Sequence, residues 1–140
     1  MGITDALAAD EATVIALWRD AGLTRPWNDP AADFRMALAG PASAVLLACE
    51  GETLAGSVMV GFDGHRGWVY YLAADPARRG RGIGRALMDA AEAWLKARGC
   101  PKIQLMVRGD NAAARGFYAA IGYEVQDVVT LGKRLGSKQL

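Results

Sequence analysis

Apolar residues recur at helical spacing through the first forty residues of the chain. They predict a helix that begins after Asp10, whose side chain can cap it, and ends before Gly22, which supplies a left-handed stop. A second helix is expected to begin at Asp29-Pro30, because proline at the first helical position loses no hydrogen bond. The apolar positions of the first helix are Val14, Ile15, Leu17, Trp18 and Ala21.

From Ser43 the pattern changes to short β-favouring runs. Strands are predicted over residues 44–49, 54–62 and 68–74, and Asp63-Gly64 is a strong hairpin signal between the last two. Parallel neighbours need a long crossover, and these runs are joined by short turns. The three strands are therefore predicted to be antiparallel.

The second half alternates between helices and strands. Helical spacing predicts helices over 83–98 and 111–121, and β-favouring runs predict a strand over 102–107 and closing strands over 123–128 and 129–135. The strand at 102–107 follows a helix, so it should lie parallel to the strand at 68–74 with a right-handed crossover. The whole chain, 1–140, reads as a single domain with a mixed α/β sheet flanked by helices.

Composition supports a folded domain and gives no sign of a highly charged macromolecular partner. Of the 140 residues, 52% are hydrophobic and 22% charged, and the formal net charge is +1. This excludes a disordered chain and argues against a nucleic acid or an anionic membrane as partner. The charge is uneven, however: residues 1–70 carry four basic and nine acidic side chains, and residues 71–140 carry twelve and six. An anion is therefore expected to meet the second half.

The two cysteines give no sign of a metal site or a redox motif. Cys49 and Cys100 lie far apart and lack zinc-binding spacing, so we expect two buried free thiols and no bound metal. The first residues lack the basic start of a secretory signal, and no apolar run approaches the ~20 residues of a membrane span. A reduced, cytoplasmic setting is expected.

The segment 75–85 is the most informative for chemistry. A predicted strand ends there, Gly80, Gly82 and Gly84 follow, and a helix begins without an obvious side-chain cap. Glycines allow close approach of the backbone, and the unpaired N–H groups of a helix start attract anions. Four arginines surround this point, at 78, 79, 81 and 85. The pattern predicts a phosphate-binding loop.

Two common nucleotide loops do not fit this spacing. A dinucleotide fingerprint that begins at Gly80 needs glycine where Arg85 stands, and the Gly-Lys-Ser/Thr end of a Walker A loop is absent. The pattern Arg79-x-x-Gly82-x-Gly84, after a strand that ends in Asp-Pro, resembles the acyl-coenzyme A loop of the GCN5-related N-acetyltransferases, the GNAT family. Its second motif, Asn-x-x-Ala-x-x-x-Tyr-x-x-x-Gly-Phe/Tyr, is matched by Asn111, Ala114, Tyr118, Gly122 and Tyr123.

The resemblance, to small single-domain bacterial members, implies an acyl-CoA N-acyltransferase fold. Such a fold has antiparallel N-terminal strands, a central splayed parallel pair and about four helices, with acetyl-coenzyme A as cosubstrate. Pantetheine would pair with backbone groups of Leu72 and Ala74, and the loop would hold the pyrophosphate, with Arg78, Arg81 or Arg85 reaching the other phosphates. A solvated arginine face is the alternative. The implied coenzyme-binding residues are Leu72, Ala74, Arg79, Gly80, Arg81, Gly82, Ile83, Gly84, Arg85 and Asn111.

The resemblance also implies catalytic roles. Tyr118 would give a proton to the departing thiolate, although packing in the core is its alternative, and Asn111 also reads as a helix cap. A base must accept the proton of the attacking amine. Asp63 and His65, the only histidine, are candidates in the predicted hairpin, as are Tyr70 and Tyr71; the hairpin residues also read as a plain turn.

The sequence indicates less about the acceptor than about the coenzyme. Trp27, Asn28 and Asp29 fall where the family's first helices flank the acceptor channel, and they could hold a cationic amine or simply cap a helix. Asp63 and Tyr70 are further substrate-binding candidates. The ribosomal-protein N-terminal acetyltransferases also resemble the chain, but their strand carries glutamate where Met106 stands.

The resulting interpretation is an N-acetyltransferase that passes acetyl from acetyl-coenzyme A directly to a primary amine of a small molecule or peptide. The alternatives are an acetyl-coenzyme A sensor without catalysis and an N-terminal acetyltransferase of the ribosomal-protein type. A nucleotide-binding interaction domain is a third. The sequence leaves open whether the chain forms a homodimer.

Overall fold

The computed structural model describes residues 1–136, and it divides into two compact units. The first covers residues 1–106 and contains a five-stranded sheet and three helices. The second begins at Val107, and its described part contains one helix. One domain over residues 1–140 stays a prediction.

Residues 1–136 form five strands, four α-helices and two single turns of 3-10 helix. The strands are β1 (Gly2–Asp5), β2 (Ser43–Glu50), β3 (Thr53–Phe62), β4 (Gly67–Ala74) and β5 (Ile103–Gln104). The helices are α1 (Glu11–Asp20), α2 (Pro30–Ala39), α3 (Ile83–Lys96) and α4 (Ala112–Ala120). The 3-10 turns are Ala8–Asp10 and Pro76–Arg78.

The sheet runs in the order β1-β2-β3-β4-β5. Strands β1 to β4 pair antiparallel, and β5 pairs parallel to β4, with Gly67 opposite Ile103 and Trp68 opposite Gln104. A parallel neighbour needs a long crossover, and α3 supplies it. The predicted mixed sheet, with antiparallel N-terminal strands and a parallel pair, is confirmed.

Helices cover both faces of this sheet. On one face, the fully buried Trp18 of α1 donates its indole N–H to Ser57 Oγ of β3 at 2.9 Å. On the other, α3 lies so close to β3 that a Cβ on Gly56 would be 2.6 Å from Ile83 Cγ2. Gly56 and Ser57 are neighbours and point to opposite faces, which places α1 and α3 on opposite sides. The buried cluster under α1 and α2 is Val14, Ile15, Leu17, Trp18, Phe34, Ala37, Val45, Leu47 and Ala73, with Ala6.

The predicted ends of the first two helices are partly confirmed. Asp29 Oδ1 accepts from the N–H of Ala32 at 3.1 Å, and Gly22 has φ +74°, as expected for a cap and a left-handed stop. The capping role of Asp10 was wrong. The 3-10 turn leads directly into α1, so Asp10 already has helical dihedrals, and its carboxylate accepts from the N–H of Leu7 at 2.8 Å.

Several strand predictions were wrong. No strand forms over residues 123–128 or 129–135, where most side chains are exposed and no apolar face is buried. The strand expected over 102–107 is confined to β5, and β1 was not predicted because its four residues are all exposed. Cys49 and Cys100 are free thiols but only half-buried, which corrects the expected burial. The exposed apolar residues near the end are Val125, Val128, Val129, Leu131 and Leu135.

Candidate active site

The parallel pair opens along its length. Strand β5 pairs only with Gly67 and Trp68 at the start of β4, and Gly67 N–H donates to the Lys102 carbonyl at 2.8 Å. From Val69 to Ala74, this edge of β4 has no strand partner within residues 1–136. Backbone groups on such an edge are available to a ligand. Leu72 and Ala74, two predicted coenzyme-binding residues, lie on this stretch.

Strand β4 is bulged next to the open edge. Tyr71 and Leu72 together stand opposite Val58 of β3, and Tyr71 has φ +53°. This left-handed backbone costs a non-glycine residue about 1–2 kcal/mol, so other contacts must hold it. The Tyr71 ring stacks on Trp18 with centroids 3.9 Å apart, and its hydroxyl donates to Asp33 Oδ2 at 2.7 Å. Burial and the Asp33 carboxylate raise the pKa of Tyr71, so this hydroxyl stays a donor.

The predicted phosphate-binding loop follows β4, and we call residues 75–85 the glycine loop. Asp75 Oδ1 accepts from the N–H of Ala77 at 3.0 Å and starts the 3-10 turn. Gly80 and Gly82 have φ +80° and +69°, and Gly82 precedes α3 without a side-chain cap. The first main-chain bond of α3 runs from Ala86 N–H to the Gly82 carbonyl, so the N–H groups of Ile83, Gly84 and Arg85 lie before it.

Two of the four arginines in the glycine loop are engaged by carboxylates. Glu50 Oε1 accepts from Nη1 of Arg78 and, at 3.0 Å, from Nη1 of Arg81. Arg78 also donates through Nε to Asp75 Oδ2 at 3.3 Å. Arg79 and Arg85 are exposed and form no ion pair with another residue of the described chain.

These features fit a phosphate group. A helix start whose N–H groups lack a cap carries partial positive charge, and glycines without Cβ let an anion approach. Unneutralised guanidinium groups at Arg79 and Arg85 add charge beside it. The open edge of β4 ends where the glycine loop begins, so an extended polar arm could lie along the strand while its phosphates meet the helix start.

The hairpin before β4 binds its own backbone. Asp63 Oδ1 accepts from the N–H groups of His65 at 2.8 Å and Arg66 at 2.7 Å, and Oδ2 accepts from the Trp68 indole at 3.2 Å. These bonds, the one from Arg66 foremost, lower the pKa of Asp63. Asp63 is thus a charged turn cap with both oxygens occupied, which disfavours it as a base. His65 is exposed.

Two groups of predicted acceptor residues lie at the surface of the first unit. Trp27 is 38% exposed in the connection between α1 and α2, and Asp29 caps α2. Asn28 is also exposed, and its N–H donates to the Arg25 carbonyl at 3.1 Å. On β4, Tyr70 is 46% exposed, and burial together with the charge of Asp63 raises its pKa.

The second unit holds the remaining predicted residues. Asn111 Oδ1 accepts from the N–H of Ala114 at 3.0 Å, so its predicted capping of α4 is confirmed. Tyr118 packs edge-on against Phe117 and Tyr123, with ring centroids 5.0 and 5.7 Å away. Burial raises the pKa of Tyr118 to about 12. Its hydroxyl has no hydrogen-bond partner in residues 1–136, so it stays protonated and can donate to a ligand.

Comparison with known proteins decides the family. The acetyltransferase (GNAT) family model matches residues 12–123. The chain belongs to this family. GNAT members are N-acetyltransferases that use acetyl-coenzyme A, and the interpretation of this chain from its two motifs is confirmed at that level.

Relatives and solved structures agree with this assignment. An acetyltransferase of Pectobacterium atrosepticum is 51% identical over 126 residues, which cover 90% of this chain and 89% of that protein. A Clostridium acetobutylicum acetyltransferase, in a crystal structure with acetyl-coenzyme A, is similar with TM-score 0.77 and 19% identity, over 94% of this chain and 95% of that one. The aminoglycoside N-acetyltransferase AAC(6')-Iy, in complex with a bisubstrate analogue, has TM-score 0.81 and 17% identity, over 96% and 98%. The last two establish likeness of fold.

Sequence reasoning missed Glu50 beside the glycine loop, and it named Tyr71 only as a base candidate without its backbone conformation. Glu50 reads as a turn residue, since its contact with the glycine loop crosses 28 positions of sequence. Tyr71 gave no sign of a left-handed backbone, because aromatic residues favour strands. In both cases only tertiary contacts reveal the role.

The described residues add two observations about ligands and membranes. No group of three or more His, Cys, Asp or Glu side chains in residues 1–136 is arranged to hold a metal ion. Over the same residues, no helix has the length and apolar character needed to cross a bilayer.

Proposed function

We propose that this GNAT enzyme transfers an acetyl group from acetyl-coenzyme A directly to the primary amine of a small molecule or peptide. The observation that carries the proposal is the uncapped start of α3 directly after the open edge of β4, with Gly80 and Gly82 in left-handed conformations. Phosphates and an extended thioester arm need these two features side by side.

In this proposal the glycine loop binds the pyrophosphate. The N–H groups of Ile83, Gly84 and Arg85 donate to its oxygens, and the exposed Arg79 and Arg85 contribute charge. Backbone groups of Leu72 and Ala74 pair with the pantetheine arm, and Asn111 contacts the coenzyme beside its capping role. The pairing with β4 orients the thioester, since an arm fixed to a strand has few remaining conformations.

The reaction proceeds through a tetrahedral intermediate. The neutral amine nitrogen attacks the thioester carbon, the C–S bond breaks, and the thiolate takes a proton from the Tyr118 hydroxyl. The amine nitrogen loses a proton to water or to His65, and solvent reprotonates Tyr118. Because Asp63 is occupied as a turn cap, His65 is the preferred side chain for this step.

The acceptor carries an ammonium group when it arrives and loses one proton to solvent before it attacks. Several side chains of the first unit suit the arriving cation. Trp27 and Tyr70 present exposed aromatic rings, while Asn28, Asp29 and Asp63 add polar or negative groups. Aromatic faces and carboxylates both attract cationic amines. An N-terminal peptide amine has the same chemistry, so the ribosomal-protein type is an outcome of the experiment below.

One experiment separates the proposed activity from its alternatives. We expect acetyl-coenzyme A to bind the purified protein and raise its melting temperature, and coenzyme A to be released when an acceptor from a panel of small amines and peptides is added. Binding without release for any amine would indicate a sensor. Equal affinity for adenine nucleotides that lack pantetheine would indicate a nucleotide-binding module, and absence of binding would contradict the proposal.

The left-handed Gly82 gives a specific prediction. Gly82→Ala should weaken acetyl-coenzyme A binding about tenfold, because alanine disfavours φ +69° and the helix start must shift away from the phosphates. Space is not the cause, since nothing lies within 4 Å of a Cβ built there. The measurement is calorimetric titration.

Gly22→Ala is the matched control. Gly22 has φ +74° with equally open surroundings, but it ends α1 and lies outside the glycine loop. Both variants should lose about 1 kcal/mol of stability, and only Gly82→Ala should lose affinity. If Gly82→Ala bound acetyl-coenzyme A as tightly as Gly22→Ala and the wild type do, the conformation at Gly82 would be unimportant for binding.

A further inference from the structure

Glu50 ties the glycine loop to the end of β2. We propose that Glu50 is a positioning residue, which holds the glycine loop in the conformation that receives the phosphates. This inference rests on the coenzyme-binding function proposed for that loop, and it adds a residue outside both GNAT motifs.

The geometry of Glu50 is that of an anchor. It is the last residue of β2, and one of its oxygens, Oε1, accepts from the guanidinium groups of both Arg78 and Arg81. The side chains of Glu50 and Arg78 are only 28% and 24% exposed, so this contact is partly shielded from water. Arg78 also donates a hydrogen bond through Nε to Asp75, which starts the same loop.

The two anchored arginines flank a short segment of the loop. Between Arg78 and Arg81 lie Arg79 and Gly80, the latter with φ +80°. A single carboxylate that holds both ends of this segment limits its conformations before a ligand arrives, and preorganisation of this kind improves affinity. The carboxylates of Glu50 and Asp75 also balance Arg78 and Arg81, which leaves Arg79 and Arg85 for phosphate.

Two effects of removing Glu50 oppose one another. Loss of its negative charge would favour an anionic ligand, whereas loss of its hydrogen bonds would free the loop. The charge effect through Arg81 is weakened by solvent, because that side chain is 54% exposed. Charge-assisted hydrogen bonds to partly buried groups are among the stronger ones. We therefore expect the loss of anchoring to win and the affinity to fall.

The variants Glu50→Gln and Glu50→Asp test this proposal, with Glu52→Gln as the matched control. Glu52 is exposed, lies in the turn that follows β2, and makes no ion pair with any residue of the described chain. At 0.1 M salt, both Glu50 variants should raise the Kd for acetyl-coenzyme A about fivefold, and Glu52→Gln should change it less than about twofold. Glu50→Asp keeps the charge and shortens the reach, so it isolates geometry.

Kinetics and a double-mutant cycle complete the test. A positioning role predicts a higher KM for acetyl-coenzyme A with kcat nearly unchanged, since Glu50 touches no reacting group. In a chain that carries Arg78→Gln and Arg81→Gln, adding Glu50→Gln should have almost no further effect. Circular dichroism and thermal unfolding confirm that each variant folds.

The outcomes separate this inference from the function on which it rests. Wild-type binding with unchanged affinity in Glu50→Asp, or tighter binding by Glu50→Gln, would overturn the anchoring role and leave the coenzyme site intact. If Glu50→Gln had its full effect in the chain that carries Arg78→Gln and Arg81→Gln, the anchoring role would be overturned as well. Failure of the wild-type protein to bind acetyl-coenzyme A would instead contradict the proposed function itself.

Discussion

Replacing Tyr118 by phenylalanine should lower kcat for acetyl transfer about 100-fold, while the KM for acetyl-coenzyme A changes little. Phenylalanine keeps the edge-on ring contacts with Phe117 and Tyr123 and removes only the hydroxyl. The proposed role of that hydroxyl is to protonate the thiolate as the C–S bond breaks, a step that ground-state binding does not contain. Steady-state kinetics, with release of coenzyme A as the readout, measures the change.

The raised pKa of Tyr118 adds a pH criterion. A phenol can act as an acid only while protonated, and burial raises the pKa of Tyr118 to about 12, so the hydroxyl keeps its proton through the neutral and mildly alkaline range. Wild type and Tyr118→Phe should therefore show kcat–pH profiles of the same shape below about pH 10, offset by a constant factor. A Tyr118-dependent fall in rate near pH 8 would contradict the assignment.

A change of leaving group distinguishes acid catalysis from a structural effect. If Tyr118 protonates the thiolate, a thioester of a more acidic thiol needs that proton less, and the defect of Tyr118→Phe should shrink with it. A defect of the same size with both thioesters would indicate that the hydroxyl acts in folding or in orientation of the substrate. Thermal unfolding of the variant provides the independent check on folding.

The sequence predicts the parts of this fold that depend on local patterns. Alternation and turn residues placed β2, β3 and β4 within one residue of their ends, and the cap at Asp29 and the start of α3 at Ile83 were correct. Gly80 and Gly82, which the sequence placed in the loop for close approach of an anion, have left-handed backbones. These features follow from propensities and from φ preferences, which act within a few residues.

Features set by distant contacts were not predictable. Strand β1 exists because it pairs with β2 some forty residues later, and its own residues show no buried face. The bulge at Tyr71 depends on a ring in α1 and a carboxylate in α2. The closing strands failed for the converse reason: valines favour strands, but Val125, Val128 and Val129 are all exposed, so no apolar face is buried there.

The candidate site divides in the same way. Motif spacing identified the glycine loop and the family, since both depend on residues close in sequence. It did not show that the Glu50 carboxylate accepts hydrogen bonds from Arg78 and Arg81, nor that the Asp63 carboxylate accepts hydrogen bonds from the backbone of its own turn. The available cations and the free base candidates therefore differ from those that residue types alone would select.

Truncation of Trp18 to alanine should lower the free energy of unfolding by about 4 kcal/mol, a large part of the stability of a domain of this size. The indole is fully buried, and it packs edge-on against Phe34 at 6.3 Å and in a stack with Tyr71 at 3.9 Å. Its removal leaves a cavity and deprives the Ser57 hydroxyl of its donor. Urea denaturation measures the loss.

The effect should also reach the site, because Trp18 supports the unusual backbone of Tyr71. Without the stacking partner, a residue with φ +53° has less to hold it, and the bulge that precedes Leu72 should relax. We therefore expect acetyl-coenzyme A affinity to fall in Trp18→Ala even at temperatures where the variant is folded. An unchanged affinity in folded Trp18→Ala would show that the bulge is maintained by Asp33 and the sheet alone.

A double-mutant cycle separates packing from hydrogen bonding at this position. Trp18→Phe keeps an aromatic ring but leaves the Ser57 hydroxyl without its donor, at a cost of about 1–3 kcal/mol beyond the loss of ring volume. Ser57→Ala in the same chain removes the stranded hydroxyl and should recover part of that cost. If Ser57→Ala gives no recovery, the indole N–H contributes little, and the stability that Trp18 confers comes from packing between α1, α2 and β4.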